Sequence, residues 1–269
     1  MSYTTQKELL DAGVHFGHLT SKWHPKMAPY IFMERNGIHV LDLNKTEVKL
    51  NEACAALKQM VKSGKKILFV ATKKQAKDIV AQVAKDTNMP YVTERWLGGM
   101  MTNFGTVRKS IKKMNGMDKF TKESAYENLS KREKLMLSRD QVKLERLFGG
   151  ISDLTRLPGA LFIVDIKKEH IAVEESKKLN IPTFAMVDTN SDPTLVDFAI
   201  PSNDDATKSI GLITSLVAKA IEEGLAERKK DATVEKEGAD VVEGDEAKEG
   251  KRIRKKVVVA KEESPEKEG

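Results

Sequence analysis

The sequence predicts an α/β fold, a parallel sheet with helices packed on it, and three observations carry that expectation. Strand and helix signals alternate through most of the 269 residues, which is the order a parallel sheet leaves in a sequence. The strongest strand signals are nearly continuous apolar runs, as strands buried on both faces require. The alternation then fails in two places, dividing the chain into an α/β body over 1–104 and 149–226, an inserted basic helical hairpin over 105–148, and a charged tail over 227–269.

Taken in order, Ile38-His39-Val40-Leu41 is a short, weak strand candidate. Asn44-Lys45-Thr46-Glu47 reads as a capping box opening a helix to about Lys62, with Leu43 and Val48 spaced as a hydrophobic staple. The run Lys66-Ile67-Leu68-Phe69-Val70-Ala71 is a buried strand. Thr72-Lys73-Lys74-Gln75 follows as a second capping box, its Thr hydroxyl accepting from the Gln75 N–H, and opens a helix through about Asp86. Tyr91-Val92-Thr93-Glu94 is another weak strand.

In the inserted hairpin, Val107, Ile111 and Met114 form a stripe that ends at Asn115-Gly116, where Gly suits a helix terminus. Ser130-Lys131-Arg132-Glu133 is a third capping box, followed by Leu135, Val142, Leu144 and Leu147 and closed by Gly149-Gly150. Two antiparallel helices set Arg108, Lys109, Lys112, Lys113, Lys131, Arg132, Arg139, Lys143 and Arg146 around a narrow apolar seam. The body then resumes with apolar runs at 160–165 and 182–188, and a last helix presents Ile210, Ile213, Val217 and Ile221 on one face.

The positive charge is concentrated in one internal segment. The chain carries 46 basic and 40 acidic residues, a net of +6, yet residues 105–148 alone hold 12 Lys/Arg against 6 Asp/Glu. Cations gathered on one segment suit a partner rich in phosphate, because each one placed on a phosphate releases condensed counterions. A solvated hairpin kept soluble by lysines has the same composition, so charge alone leaves both readings open. The tail, with 12 basic and 13 acidic residues and few core formers, cannot bury enough apolar surface to offset ordering entropy and is expected to be disordered. A single cysteine, Cys54, excludes a disulfide framework and a thiolate zinc cluster. No signal-peptide core and no run of 18 apolar residues is present, so a cytosolic protein with no membrane partner is expected.

Enzyme constellations find little support. The turn after Val70 has no glycine-rich phosphate loop, and Gly98-Gly99 is a weak signal that more often marks a tight turn. Asp165, Asp188, Asp192, Asp204 and Asp205 fall at or after strand ends; a divalent cation is one use for them, and helix caps and turns are the expected one. His15, His18 and His24 have a spacing that can serve a metal, but no cysteine or paired carboxylate lies nearby in sequence. Facing RNA, the same segment makes better sense: His15, His18 and Trp23 stack, and Lys22 and Lys26 take phosphates. Structural burial of His15 and His18 is the alternative. In the stretch from Thr93 to Phe104, Arg95 offers a planar fork for phosphate, and Thr102 and Asn103 offer neutral polar contacts. The competing reading makes Trp96, Leu97 and Phe104 core and leaves Arg95 alone at the surface.

Several of these stretches, quoted whole, resemble one family. Leu10-Asp11-Ala12-Gly13-Val14-His15-Phe16-Gly17-His18, Pro25-Lys26-Met27, Arg35-Asn36-Gly37-Ile38-His39, Arg95-Trp96-Leu97-Gly98-Gly99-Met100, Val187-Asp188-Thr189-Asn190 and Ile200-Pro201-Ser202-Asn203-Asp204-Asp205-Ala206 are similar to the bacterial branch of the small-subunit (30S) ribosomal S-two family. The likeness runs over about residues 5–225. It implies a Rossmann-like (flavodoxin-like) domain with helices on both faces, and a coiled-coil arm. It also implies a place on the small ribosomal subunit, contact with 16S ribosomal RNA, and docking of the multi-OB-fold ribosomal protein that captures messenger RNA. No cofactor, catalytic residue or small-molecule substrate goes with it. By that likeness the hairpin cations, the His15–Lys26 loop, Arg35 and Arg95 face RNA. Ser191, where many members carry Cys, and Gly159, where an acidic residue is more usual, depart from the pattern.

Overall fold

The computed structural model describes residues 3–120 and 129–231. The chain divides into two units, Met1–Leu225 and Ala226–Gly269. Residues 226–231 of the second unit are helical, and the expected tail lies otherwise outside the described residues.

The first unit holds the α/β body. Five parallel strands, β4 (Ile67–Val70), β5 (Tyr91–Val92), β6 (Ala160–Val164), β7 (Thr183–Val187) and β8 (Phe198–Pro201), lie in the order β5-β4-β6-β7-β8. Counted within this sheet the order is 2-1-3-4-5, the flavodoxin-like arrangement. β4, β6 and β7 are buried along their whole length, which is why they read as unbroken apolar runs.

Alternate residues of these strands feed two cores. Phe69, Phe162 and Phe184 face α2 (Leu43–Lys62), α3 (Lys74–Asp86) and α7 (207–225), whose Ile210, Ile213, Val217 and Ile221 are all fully buried. Leu68, Val70, Leu161 and Ile163 face the other way, toward Ala172 and Val173 of α6 (His170–Lys178) and the roots of α4 (Phe104–Phe120) and α5 (Lys131–Phe148). Helices therefore cover both faces.

Ahead of this sheet stand a short helix, α1 (Gln6–Asp11), and a small antiparallel sheet of β1 (Phe16–Leu19), β2 (Ile31–Arg35) and β3 (Ile38–Leu41), in the order β1-β3-β2. The second sheet is an addition to the sequence reading, which found only β3. Its hairpin turn is Asn36-Gly37, both at positive φ (54° and 72°), the backbone a two-residue turn between twisted strands demands. Gly17 lets β1 lie against the main body: a Cβ there would stand 2.6 Å from Thr189 Cγ2.

Of the three expected capping boxes, one forms and two do not. Ser130 and Glu133 do form a reciprocal capping box on α5. Asp42, not Asn44, caps α2 by accepting from the Asn44 N–H at 3.0 Å. Thr72 caps nothing, because its hydroxyl and its N–H both bond the Glu169 carboxylate, and α3 begins at Lys74 with no side-chain cap. In the inserted pair, α4 runs through Gly116 to Phe120; Gly116 sits on the exposed side, where a glycine costs a helix only about 1 kcal/mol. α4 and α5 pack together, burying Val107, Ile111, Met114 and Phe148. The inward stripe of α5 is Leu137, Gln141, Leu144 and Phe148, while Leu135 and Val142, expected in the seam, are exposed.

A candidate nucleic-acid interface and a buried ionic cluster

The helical pair projects its charge outward because its apolar stripe faces in. Arg108, Lys109, Lys112 and Lys113 on α4 and Lys131, Arg132 and Arg139 on α5 are all exposed. Among the described residues, none of them lies within 4 Å of a carboxylate. Arg146, by contrast, pairs with Glu94 at 3.0 Å, and Glu94 also meets Lys77 at 3.3 Å. Arg146, at the root of α5, is thus neutralised by the body, whereas those seven cations have no carboxylate partner among the described residues.

α4 starts where a tightly held loop ends. Glu175 of α6, a buried carboxylate, accepts from Trp96 Nε1 (3.1 Å), the N–H groups of Gly99 (2.8 Å), Met101 (2.9 Å) and Thr102 (2.9 Å), and the Thr102 hydroxyl (3.1 Å). Burial alone would raise this carboxyl, and the donated hydrogen bonds outweigh it, so its pKa is lowered. Gly99 has φ +86°, which lets consecutive amides turn toward one acceptor. Trp96 is core, as the competing reading held, yet Arg95, Thr102 and Asn103 all reach the surface beside α4. Sequence reasoning missed Glu175; inside an ordinary amphipathic helix nothing marks a glutamate whose partners lie more than 70 residues away.

The N-terminal candidates separate into two groups. Lys22, Trp23 and Arg35 are exposed, and Trp23 stacks at a tilt on His39 with ring centroids 5.3 Å apart. Lys26 is exposed too, but its ammonium already donates to Asp192 (2.7 Å) and Thr194 (3.0 Å). Burial would raise Asp192, and the Lys26 and Thr194 donors outweigh it, holding the carboxyl at about 2. His15 is partly buried against Phe16, with centroids 4.0 Å apart, and burial lowers its pKa.

His18 points into the body. Its Nδ1 donates to Asp188 at 2.9 Å, its Nε2 lies 3.4 Å from Asp205, and its backbone N–H bonds Thr189 Oγ1 at 2.8 Å. The Asp188 hydrogen bond raises the imidazole pKa. Beside it, Lys73 contacts Asp165 (2.9 Å), Asp204 (2.7 Å) and Asp205 (2.8 Å). Burial would lower the ammonium, but this acidic ring keeps it charged. Of the five aspartates expected to cap and turn, Asp192 accepts from the Thr194 N–H and Asp165 from the Lys167 and Lys168 N–H groups. At the third site the turn former is Asn203, which accepts from the Asp205 and Ala206 N–H groups, and Asp204 is turned inward.

Fold and surface together define a class: a flavodoxin-like α/β domain carrying a helical pair with unpaired cations. A family model for ribosomal protein S2 matches residues 9–224. The small ribosomal subunit protein uS2 of Cytophaga hutchinsonii is 64% identical over 242 residues, covering 90% of this chain and 94% of the relative. That of Flavobacterium johnsoniae is 62% identical, covering 85% and 90%, and that of Phocaeicola vulgatus 63%, covering 85% and 82%. The chain belongs to the ribosomal protein S2 family. It is a protein of the small ribosomal subunit and not an enzyme. Among the described residues no helix is long and apolar enough to cross a membrane.

Proposed function

We propose that the chain holds 16S ribosomal RNA by electrostatic contact, with Arg108, Lys109, Lys112 and Lys113 as its principal phosphate ligands. The observation that carries this is their exposure without a carboxylate partner on a helix whose opposite side is buried. Free cations on a rigid rod suit a polyanion, because the side chains have no internal ion pair to break first. Lys131, Arg132 and Arg139 extend the surface along α5, and Arg95, Thr102 and Asn103, held by the Glu175 anchor, continue it onto the body. Lys22, Trp23 and Arg35 supply a second patch that mixes an aromatic ring with cations, a combination suited to stacking beside phosphate.

In this reading His18 acts from behind, fixing the His15–Lys26 loop, and Lys26 reaches a phosphate only by sharing or leaving Asp192. Docking of the multi-OB-fold messenger-binding ribosomal protein is the finer part of the proposal, supported by family membership; deleting this chain should then release that protein from small subunits. The RNA contact is tested by filter binding to 16S ribosomal RNA across a salt series. Replacing Arg108, Lys109, Lys112 and Lys113 together by Gln should flatten the slope of log K against log salt by about 3. An unchanged slope would remove α4 from the interface.

A further inference from the structure

A cleft of about 510 Å³ lies at the amino ends of β4 and β6, between the turn that follows α2 and the 152–159 loop. The His18 cluster stands at the opposite, carboxyl ends of the strands. Backbone contacts fix both walls. Gly64, at φ +82°, ends α2, with its N–H on Val61 O (2.9 Å) and the Lys65 N–H on Met60 O (3.2 Å), the paired bonds of a Schellman motif. The Gly159 N–H then donates to Lys66 O at 2.8 Å, joining the second wall to the first. Only glycine fits at 159: a Cβ there would stand 2.5 Å from Lys65 Cβ and 2.8 Å from its Cδ, so the lysine stem runs along bare backbone.

Cations crowd the cleft. Lys65, Lys66 and Arg156 line it against one acidic residue, Asp153, and all four are exposed. On α2, Lys58 pairs with Glu223 at 3.1 Å, whereas none of these three cations has a carboxylate within 4 Å among the described residues. A lysine just past a helix carboxyl end suits the helix dipole, and that accounts for Lys65 and Lys66. It does not account for Arg156, which a distant segment brings to the same place. Nor does it explain the apolar lining beside Arg156, made by buried Leu154 and by Leu157, which is 43% exposed.

We propose that this cleft binds a single-stranded segment of RNA, with Lys65, Lys66 and Arg156 on its phosphates and a base laid against Leu157 and the Arg156 guanidinium. A polyanion running through suits cations spread over two loops, because each phosphate they meet releases counterions. The apolar lining is reached only by a base that is not paired in a helix. A free nucleotide suits the cleft less. Among the described residues no helix amino end and no glycine-rich run of N–H donors borders it to hold a terminal phosphate, and the helix end that does border it, that of α2, is a carboxyl end. The inference rests on RNA being the partner, as proposed above, but uses no residue of the helical pair. With both surfaces occupied, one protein holds two RNA segments.

The test is fluorescence anisotropy of a labelled oligouridine titrated with the full chain across a salt series. Combining Lys65→Gln, Lys66→Gln and Arg156→Gln should lower the slope of log K against log salt by about 2, at about 0.7 per phosphate contact on a single strand. The same drop is expected when the three changes are added to the quadruple Gln variant of α4. Lys85→Gln, Lys177→Gln and Lys178→Gln together, at exposed positions outside the cleft, should leave the slope nearly unchanged. Leu157→Ala should weaken binding severalfold with the slope intact, because it removes apolar contact and no charge. Circular dichroism establishes that each variant is folded, and every side chain changed is exposed. A drop in the cleft variant with none in the α4 variant would end the α4 reading and leave this one standing. An unchanged slope in the cleft variant, an equal drop in the Lys85, Lys177, Lys178 variant, or displacement of the oligouridine by UTP at equal nucleotide concentration would overturn the proposal.

Discussion

Glu175 accepts from the Trp96 indole and three backbone amides of the loop ahead of α4, so truncating it leaves those buried donors without an acceptor. Hydrogen bonds to a charged group contribute about 1.5 to 3 kcal/mol each, and some of the amides will find water. Glu175→Ala should therefore lower unfolding free energy by roughly 3 kcal/mol in urea titrations, while Arg95→Ala, at the surface of the same loop, should change it by less than about 0.5 kcal/mol. The Lys26–Asp192 pair gives a pH signature. Asp192 has its pKa depressed in the fold to about 2, so the pair stabilises the native state above the unfolded carboxyl pKa, near 4, and that contribution is lost as pH falls toward 2. The stability difference between wild type and Lys26→Gln should be constant above about pH 5 and vanish near pH 2. Its size at neutral pH should stay under about 1 kcal/mol, because Lys26 is mostly solvated. A difference that persists at pH 2 would mean that Lys26 acts through packing.

At the scale of elements, the helical pair was legible on one side and misread on the other. Val107, Ile111 and Met114 form the buried stripe of α4 as their spacing implied. On α5 the expected seam of Leu135, Val142, Leu144 and Leu147 mixed two faces: Leu144 and Leu147 pack inward with Leu137, Gln141 and Phe148, while Leu135 and Val142 are exposed. Composition identified a helix there but could not choose its face, since apolar residues lie on two. Ile111→Ala should cost about 3 kcal/mol and Val142→Ala less than about 0.5 kcal/mol, measured by thermal or urea unfolding; equal losses would put Val142 in the seam. The small antiparallel sheet did carry a signal that went unused, the Asn36-Gly37 pair between two runs with strand character.

For the whole molecule, the parallel sheet was readable because strands buried on both faces admit almost no polar residue, as β4, β6 and β7 show. The ionic cluster was readable only in part: its aspartates could be placed at strand ends, but not their convergence on His18 and Lys73. His18, Lys73, Asp165, Asp188 and Asp204 become neighbours only through the crossovers that align the strand ends, and no spacing in the chain records that convergence. The exposed cations lie between these cases: their concentration in 105–148 is plain in the sequence, but freedom from ion pairing is a property of the fold. In the function proposed above, that freedom is what suits the helical pair to RNA. It is tested most directly by letting wild type and the Arg108, Lys109, Lys112, Lys113 quadruple Gln variant, differently tagged and equally expressed, compete for assembly into small subunits separated on a sucrose gradient. Electrostatic anchoring by the helical pair predicts small-subunit fractions depleted of the variant, with the variant left near the top of the gradient. Equal occupancy of the two proteins would contradict it.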